Sequence, residues 1–412
     1  MIAARPTRTA ALGFVLANVF LDSLSFGLIF PIVPKLVLTL AGGDVAGAAR
    51  VFGLMAGSWA LMNFIASPVL GALSDRFGRR PVILISAFGF SLDLVVMALA
   101  PTVAWLFVGR LVSGLTAASY SAAAAYLADV TPPDQRARRF GLFSGIYATG
   151  MILGPAFGGA LGEISPRAPF FAAAGLAALG WFYGLIILPE SLPPELRTKT
   201  AWHAANPVHS FGILGKDRSL LGLAGVAFLT QLGSSAANTV FVLYTGFRYH
   251  WTSVDVGLLL MGFGAGNILT MSIIAPRLVE RIGERSTLLI GLTTSAIGFA
   301  GFGLATTGRQ FCFACIPACF GNICAPPLQA LQTRRVGPTE QGRLQGALSG
   351  VAALTGLVGP IFFTQVFAWS VTLGSVPARS GLAFLIGAGL MAAAWTIAFA
   401  LAHSPIKRKT PN

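Results

Sequence analysis

Charge is absent from long stretches of this chain, and that absence constrains the fold more than any motif does. Ten runs of 18 residues or more contain no Asp, Glu, Lys or Arg: 51–74, 111–128, 140–162, 168–189, 219–247, 256–276, 286–308, 310–333, 344–378 and 380–406. Two more, 9–34 and 81–109, are interrupted only by Asp22 and Asp93. A helix needs roughly 20 apolar residues to cross the hydrocarbon core of a bilayer. The pattern therefore predicts an all-α membrane protein of twelve transmembrane helices. Barrel strands would instead alternate polar and apolar residues over about ten positions. The first run is too long for a signal-peptide core and has no clear small-residue cleavage site, so it reads as the first span. The 49 glycines suit helices that pack closely within lipid.

The remaining charge is segregated. Only 10% of residues are charged, against about 25% in soluble domains. A net charge of +14 would suit a nucleic-acid binder, but its arrangement excludes that class. With both termini placed in the cytoplasm, 21 of the 28 Lys and Arg fall on the cytoplasmic side, including Arg5, Lys199, Lys407, Arg408 and Lys409. Six, among them Lys35 and Arg379, fall outside, and Arg110 lies within a helix. This is the bias the positive-inside rule predicts. The expected partner is the lipid bilayer of the inner (cytoplasmic) membrane, crossed many times with both ends inside. No feature points to oligomers, and a monomer is expected.

The longest polar connection, 190–218, follows the sixth span and divides the chain into an N-terminal six-helix bundle (1–189) and a C-terminal one (219–412). The halves resemble each other at one fixed spacing. "ALSDRFGRRPVILI" from Ala72 and "RLVERIGERSTLLI" from Arg277 lie 205 residues apart, so that Asp75 meets Glu280, Gly78 meets Gly283 and Arg80 meets Arg285. Gly154-Pro155 meets Gly359-Pro360, and Ser144-Gly145 meets Ser349-Gly350, at the same spacing. Separate matches at one spacing mark a duplicated six-helix unit, as in transporters built from repeats.

"GALSDRFGRRP", from Gly71, resembles the signature loop of the major facilitator superfamily. "GMILGPAFGG", Gly150 to Gly159, resembles the fifth-helix motif of that superfamily's antiporters. "FLDSLSFGLIFPIVPKL" from Phe20, "GRLVSGLTAA" from Gly109 and "GEISPRAPFF" from Gly162 resemble tetracycline-resistance drug/proton exporters, most densely in the first half. The resemblance implies the major facilitator fold, two pseudo-symmetric six-helix bundles. It also implies gating roles for Asp75, Arg76, Gly78, Arg79, Arg80, Gly154 and Pro155. The physics of the loop fits a latch. Gly78 permits a tight turn, Asp75 can accept hydrogen bonds at a helix N-terminus across the interface between the halves, and an arginine can reach Asp129 at the inner end of a neighbouring helix. The basic residues also anchor the loop to one side.

Three ionisable residues lie deep in spans: Asp22, Asp93 and Arg110. Intramembrane charge is costly, which makes each a functional candidate. A carboxyl in apolar surroundings exchanges its proton nearer neutral pH. The resembled exporters carry acids in helices one and three and an Arg in helix four at matching positions. Asp22 and Asp93 are thus expected to carry the proton, Asp22 also meeting substrate, with Arg110 modulating both. A structural Asp93–Arg110 pair is the bland alternative. The second half departs from the resemblance: where those exporters have a His in helix eight and an Asp in helix nine, this chain has Asn267 and Ser295. Its histidines, His203, His209, His250 and His403, lie in loops or at helix ends.

Asn63, Gln231, Asn238, Asn267, Asn322 and Gln329 are candidates to line a substrate cavity, or to bond between helices. Uncharged amides among 31 phenylalanines suit a largely apolar organic molecule. Cys312, Cys315, Cys319 and Cys324 cluster in the tenth span without His, which reads as packing rather than metal chemistry. There is no GxxxxGK[ST] loop for ATP and no nucleophile–base pair for an enzyme. The expectation is a proton-coupled antiporter exporting a small hydrophobic or amphipathic compound, with protons as coupling ion and no other cofactor. The alternative is a facilitator or proton symporter for an organic metabolite.

Overall fold

The structure, a computed structural model, describes residues 8–197, 212–337, 340–373 and 380–403. Arg5, Lys199, His203, His209, Arg379, Lys407, Arg408 and Lys409 lie outside the described residues. Every regular element among the described residues is helical. Ten helices are long and apolar enough to cross a membrane, and the pair Gly13–Ile29 and Val33–Leu40, bent by 41°, supplies an eleventh. One of the ten, Ser253–Leu304, has 52 residues. At 1.5 Å per residue it would be about 78 Å long, more than twice a hydrocarbon core of ~30 Å. Gly283, at φ 80° and ψ 167°, breaks it. Divided there, it supplies two stretches of spanning length, so that by length and composition the described residues offer up to twelve candidate spans.

In order, the spans of the first half are Arg8–Ile29 with Val33–Leu40, Val45–Phe77, Arg79–Leu99, Val103–Leu115 with Ser119–Val130, Arg136–Ile164, and Ala168–Ile187. Those of the second half begin with Arg218–Tyr249. The eighth starts as Ser253–Leu269 and the ninth follows Gly283. The rest are Gly308–Gly321 with Ala325–Thr333, Gln341–Thr372, and Leu382–His403.

Several spans are interrupted, and two of the interruptions follow the repeat. Pro31, which has no N–H to give, stands at the bend of the first span. The fourth span breaks at Thr116–Ala118 and the tenth at Asn322–Cys324, within one residue of the 205-residue spacing. The second and third spans are separated by Gly78 at φ 107° and ψ 165°; its repeat partner Gly283 has almost the same conformation. Both lie in a region that only glycine occupies without strain. The eighth span contains a π-helical turn, Thr270–Ile274, a feature common near functional sites.

By contact the chain forms two units, Met1–Asn206 with Phe241–Gly264 and Pro360–Thr372, and Pro207–Val240 with Ala265–Gly359 and Leu373–Asn412. In the first unit, glycines bring the first and fifth spans together. A Cβ on Gly154 would lie 2.6 Å from the Gly27 carbonyl carbon and 2.8 Å from the Leu28 nitrogen. Gly150 packs on Ser23, and Gly158 on Leu28. The start of the eighth span joins the same unit. Ser253 N donates to Glu163 Oε1 at 3.0 Å, and Lys35 Nζ donates to Ser253 Oγ at 2.8 Å. In the second unit Gly291, Gly298 and Gly321 allow the ninth and tenth spans to touch at Cys324, Ala318 and Ser295.

Candidate functional site

The first unit holds a cavity of about 300 Å³ lined by Asp22, Trp59, Asn63, Ser86, Arg110, Ser113, Thr116, Ser119, Tyr120 and Tyr147, with Val19, Phe26, Phe90 and Ala117. The first span brings Asp22. The third and fourth bring Ser86, Arg110 and Ser119, and the fifth brings Tyr147. Aromatic packing shapes one wall: the rings of Tyr120 and Tyr147 are 5.0 Å apart, and Tyr120 and Phe143 5.1 Å. Trp59 Nε1 donates to Ser113 Oγ at 3.3 Å.

The three intramembrane charges divide into a pair and a single. Arg110 Nη2 donates to Asp93 Oδ2. Asp93 is 0% exposed and the Arg110 side chain 12%. Arg110 Nη2 also meets Met97 Sδ at 2.9 Å. A buried pair of this kind is neutral overall, and removing one member strands the other's charge. Asp22 has no ion-pair partner among the described residues. Its Oδ2 accepts from Ser119 Oγ at 2.7 Å and from Asn18 Nδ2 at 3.3 Å. Its Oδ1 is buried without a partner. The structure therefore places Asp22 and Arg110 on the cavity and Asp93 behind Arg110, outside the lining.

The cluster around Gly78 forms a connected network in the same unit. Arg79 Nη1 donates to Asp75 Oδ1 at 2.6 Å and to Ser74 Oγ at 3.1 Å, and Arg79 Nε to Asp129 Oδ2 at 3.1 Å. The expected arginine contact with Asp129 is present. The N-terminus of the third span holds the Glu190 carboxylate: Oε1 accepts from Arg79 N at 2.8 Å and Oε2 from Arg80 N at 3.2 Å. A negative group is favourable there. A Cβ at Gly78 would run into this carboxylate, so glycine is needed for space as well as conformation. Arg80 Nη2 donates to Leu185 O at 2.9 Å. Arg76 stays out of the network, lying over the Phe77 ring with 5.2 Å to its centroid. Gly154 and Pro155 sit inside the fifth span, in its contact with the first.

The second unit has its own cavity, about 580 Å³, lined by Gln231, Asn238, Asn322, Gln329, Gln332 and Gln345 among serines, Thr230 and Thr355. Thr355 Oγ1 donates to Gln231 Oε1 at 3.2 Å. Gln332 is drawn away from it, donating to Leu223 O at 3.0 Å. Four predicted amides, Gln231, Asn238, Asn322 and Gln329, come together here, and Asn63 belongs to the first cavity. Asn267 lines neither; its buried Oδ1 has no partner. Cys312 is exposed and Cys315, Cys319 and Cys324 are buried, none of them in a disulfide.

Sequence reasoning missed Ser119, Trp59, Tyr147 and Glu190. Ser119 had an available signal. "GNICAPP", from Gly321, marks a helix break by its prolines, and 205 residues earlier that break falls on "TAAS", from Thr116. Glu190 had none, because its role depends on a contact 111 residues away in sequence.

The Major Facilitator Superfamily family model matches residues 15–360 and 223–412. The chain is 37% identical over 380 residues to the class C tetracycline resistance protein of Escherichia coli, covering 92% of this chain and 94% of that protein. The class G tetracycline resistance protein of Vibrio anguillarum is 37% identical over 374 residues, covering 89% and 92%. Among solved structures, the nucleoside transporter NupG matches with a TM-score of 0.78 at 15% identity, covering 96% of this chain and 100% of that one. The human organic anion transporter MFSD10 matches with a TM-score of 0.69 at 22% identity, covering 95% and 100%. At these identities the two structures bear on the fold alone.

Proposed function

Because the chain belongs to the Major Facilitator Superfamily, we propose that it is a proton-coupled antiporter that exports a small amphipathic organic compound of the tetracycline kind. It works as a monomer in the cytoplasmic membrane by alternating access, with both termini inside and the proton as its only coupling ion. The observation that carries the reading is the unpaired Asp22 carboxylate on an aromatic-walled cavity. Asp93 offsets the charge of Arg110, so Asp22 is the group left to take and release a proton as substrate leaves and enters. Curated relatives named for tetracycline resistance support the substrate class. The network of Asp75, Arg79 and Asp129 serves as a latch between states.

The test is tetracycline accumulation in proteoliposomes under an imposed pH gradient, with Asp22→Asn as control. Uphill movement against the proton flow, lost in the variant, is the expected result. Equilibration that ignores the gradient and survives Asp22→Asn would make the protein a facilitator. The charge-free second cavity is the one observation that favours this second reading, since a neutral site takes a neutral metabolite without needing a proton.

A further inference from the structure

We propose that Ser119 is a positioning residue for Asp22: its hydroxyl fixes the carboxylate so that Oδ1 alone exchanges the proton. The proposal rests on Asp22 being the coupling acid. An ionised carboxylate accepts hydrogen bonds and donates none, so the 2.7 Å contact is a donation from Ser119 Oγ to Oδ2. Asn18 Nδ2 donates to the same oxygen at 3.3 Å. Both donors therefore sit on one side of the carboxylate, and the buried Oδ1 is left without a partner. Protonation by hydronium forms the O–H bond at Oδ1 and leaves water. Release is the reverse, and neither direction requires the Ser119 bond to break.

The local fold is built to place this hydroxyl. The fourth span stops at Leu115, turns through Thr116–Ala118, and restarts at Ser119, so Asp22 meets the first residue of a helix, where negative charge is favoured. Gly89 of the third span makes the turn possible, because a Cβ there would collide with Thr116. The other titratable or charged groups on this cavity are Arg110 and Tyr120 from the fourth span and Tyr147 from the fifth, with Asp93 of the third span paired behind Arg110. The repeat supplies an internal control. At the positions 205 residues on, Ala227 stands for Asp22 and Cys324 for Ser119, and both line the second cavity. The acid and its hydroxyl donor are absent together.

Ser119→Cys keeps the volume but offers only a weak donor, whereas Ser119→Thr keeps the hydroxyl. In proteoliposomes, Ser119→Cys is expected to lower pH-driven tetracycline accumulation about tenfold. Ser119→Thr should retain it. Difference infrared spectroscopy of the purified full chain across pH gives a substrate-independent readout. The carboxyl band lost in Asp22→Asn should move in Ser119→Cys and stay in Ser119→Thr. An unmoved band, or undiminished accumulation in Ser119→Cys, would overturn the proposal. Full accumulation in Asp22→Asn would instead sink the coupling assignment on which it rests.

Discussion

The two halves of this protein share a duplicated fold but differ in the chemistry of their cavities. The first cavity carries Asp22 and Arg110 between aromatic rings; the second is walled by amides and hydroxyls. The repeat locates the divergence. At a spacing of 205 residues, Ala227, Gly298 and Cys315 stand in place of Asp22, Asp93 and Arg110. Each intramembrane charge of the first half is answered by a small neutral residue. Features that determine backbone path persist instead: Gly78 and Gly283, the Gly-Pro pairs, and the breaks in the fourth and tenth spans. Duplication thus conserved what the helices need in order to pack and left the polar interior free to specialise. One half holds intramembrane charge, and the other offers hydrogen bonds at no electrostatic cost.

The largest expected difference between the halves is in transport. Asp22→Asn should lower proton-driven accumulation on the order of 100-fold, the usual loss when a group that moves a proton is removed. Asn238→Ala and Gln329→Ala, which remove neutral hydrogen-bonding groups, should each cost about fivefold. That loss should appear in the substrate concentration needed for half-maximal rate. Initial rates over a range of substrate concentrations measure both. Equal losses in the two halves would erase the proposed division of labour.

Packing comes next. Gly154 presses on the backbone of Gly27 and Leu28, whereas its repeat partner Gly359 meets Ser235, whose Oγ can rotate away but whose Cβ, 2.5 Å from the added methyl, cannot. Gly154→Ala should therefore cost about 3 kcal/mol and Gly359→Ala about 2 kcal/mol, read as thermal unfolding in detergent. The glycines that break the helices differ for another reason. Both occupy a conformation that strains any other residue by about 2 kcal/mol, so Gly283→Ala should cost about that much. Gly78→Ala should cost about 1 kcal/mol more, because its Cβ also displaces Glu190 from the N–H groups of Arg79 and Arg80. Equal midpoints for the two variants would mean that the Glu190 contact contributes nothing.

Most of the fold was legible because hydropathy is a one-dimensional signal. A charge-free run of about 20 residues has few alternatives to a span, and a spacing of 205 reveals a duplication without coordinates. The site was legible in part for the same reason: Asp22, Asp93 and Arg110 stood out against an apolar background. What stayed hidden depends on contacts between distant segments. That Asp93 retires behind Arg110 while Asp22 faces the cavity is decided by helix rotation, which sequence does not record. Ser119 looks like any small residue until the turn at Thr116–Ala118 aims its hydroxyl. Asn267 was selected by position and amide chemistry, yet it lines neither cavity.

The finest difference lies in the loop ion pairs. Arg79 bonds Asp129 in the first half, and the residues 205 positions on, Glu284 and Arg334, are also paired, at 2.8 Å and with the charges exchanged. The contact has been kept while its polarity has not. The two pairs differ in surroundings. Arg79 and Asp129 are 15% and 25% exposed, and Arg79 is held as well by Asp75 and Ser74; Arg334 is 72% exposed. Exposed pairs contribute about 0–1 kcal/mol. Asp129→Ala should therefore cost about 1 kcal/mol and Arg334→Ala about 0.5 kcal/mol or less, the latter vanishing in high salt. Exchanging both charges separates the halves further. Glu284→Arg with Arg334→Glu places the new arginine four residues after Glu280 across the Gly283 break, as Arg79 follows Asp75 across Gly78, and should be nearly neutral. Arg79→Glu with Asp129→Arg places a glutamate beside Asp75 and should not recover the stability lost in Asp129→Ala. Recovery there, measured by thermal unfolding, would mean that Asp75 does not fix the polarity of the first-half pair and that the two loops are interchangeable.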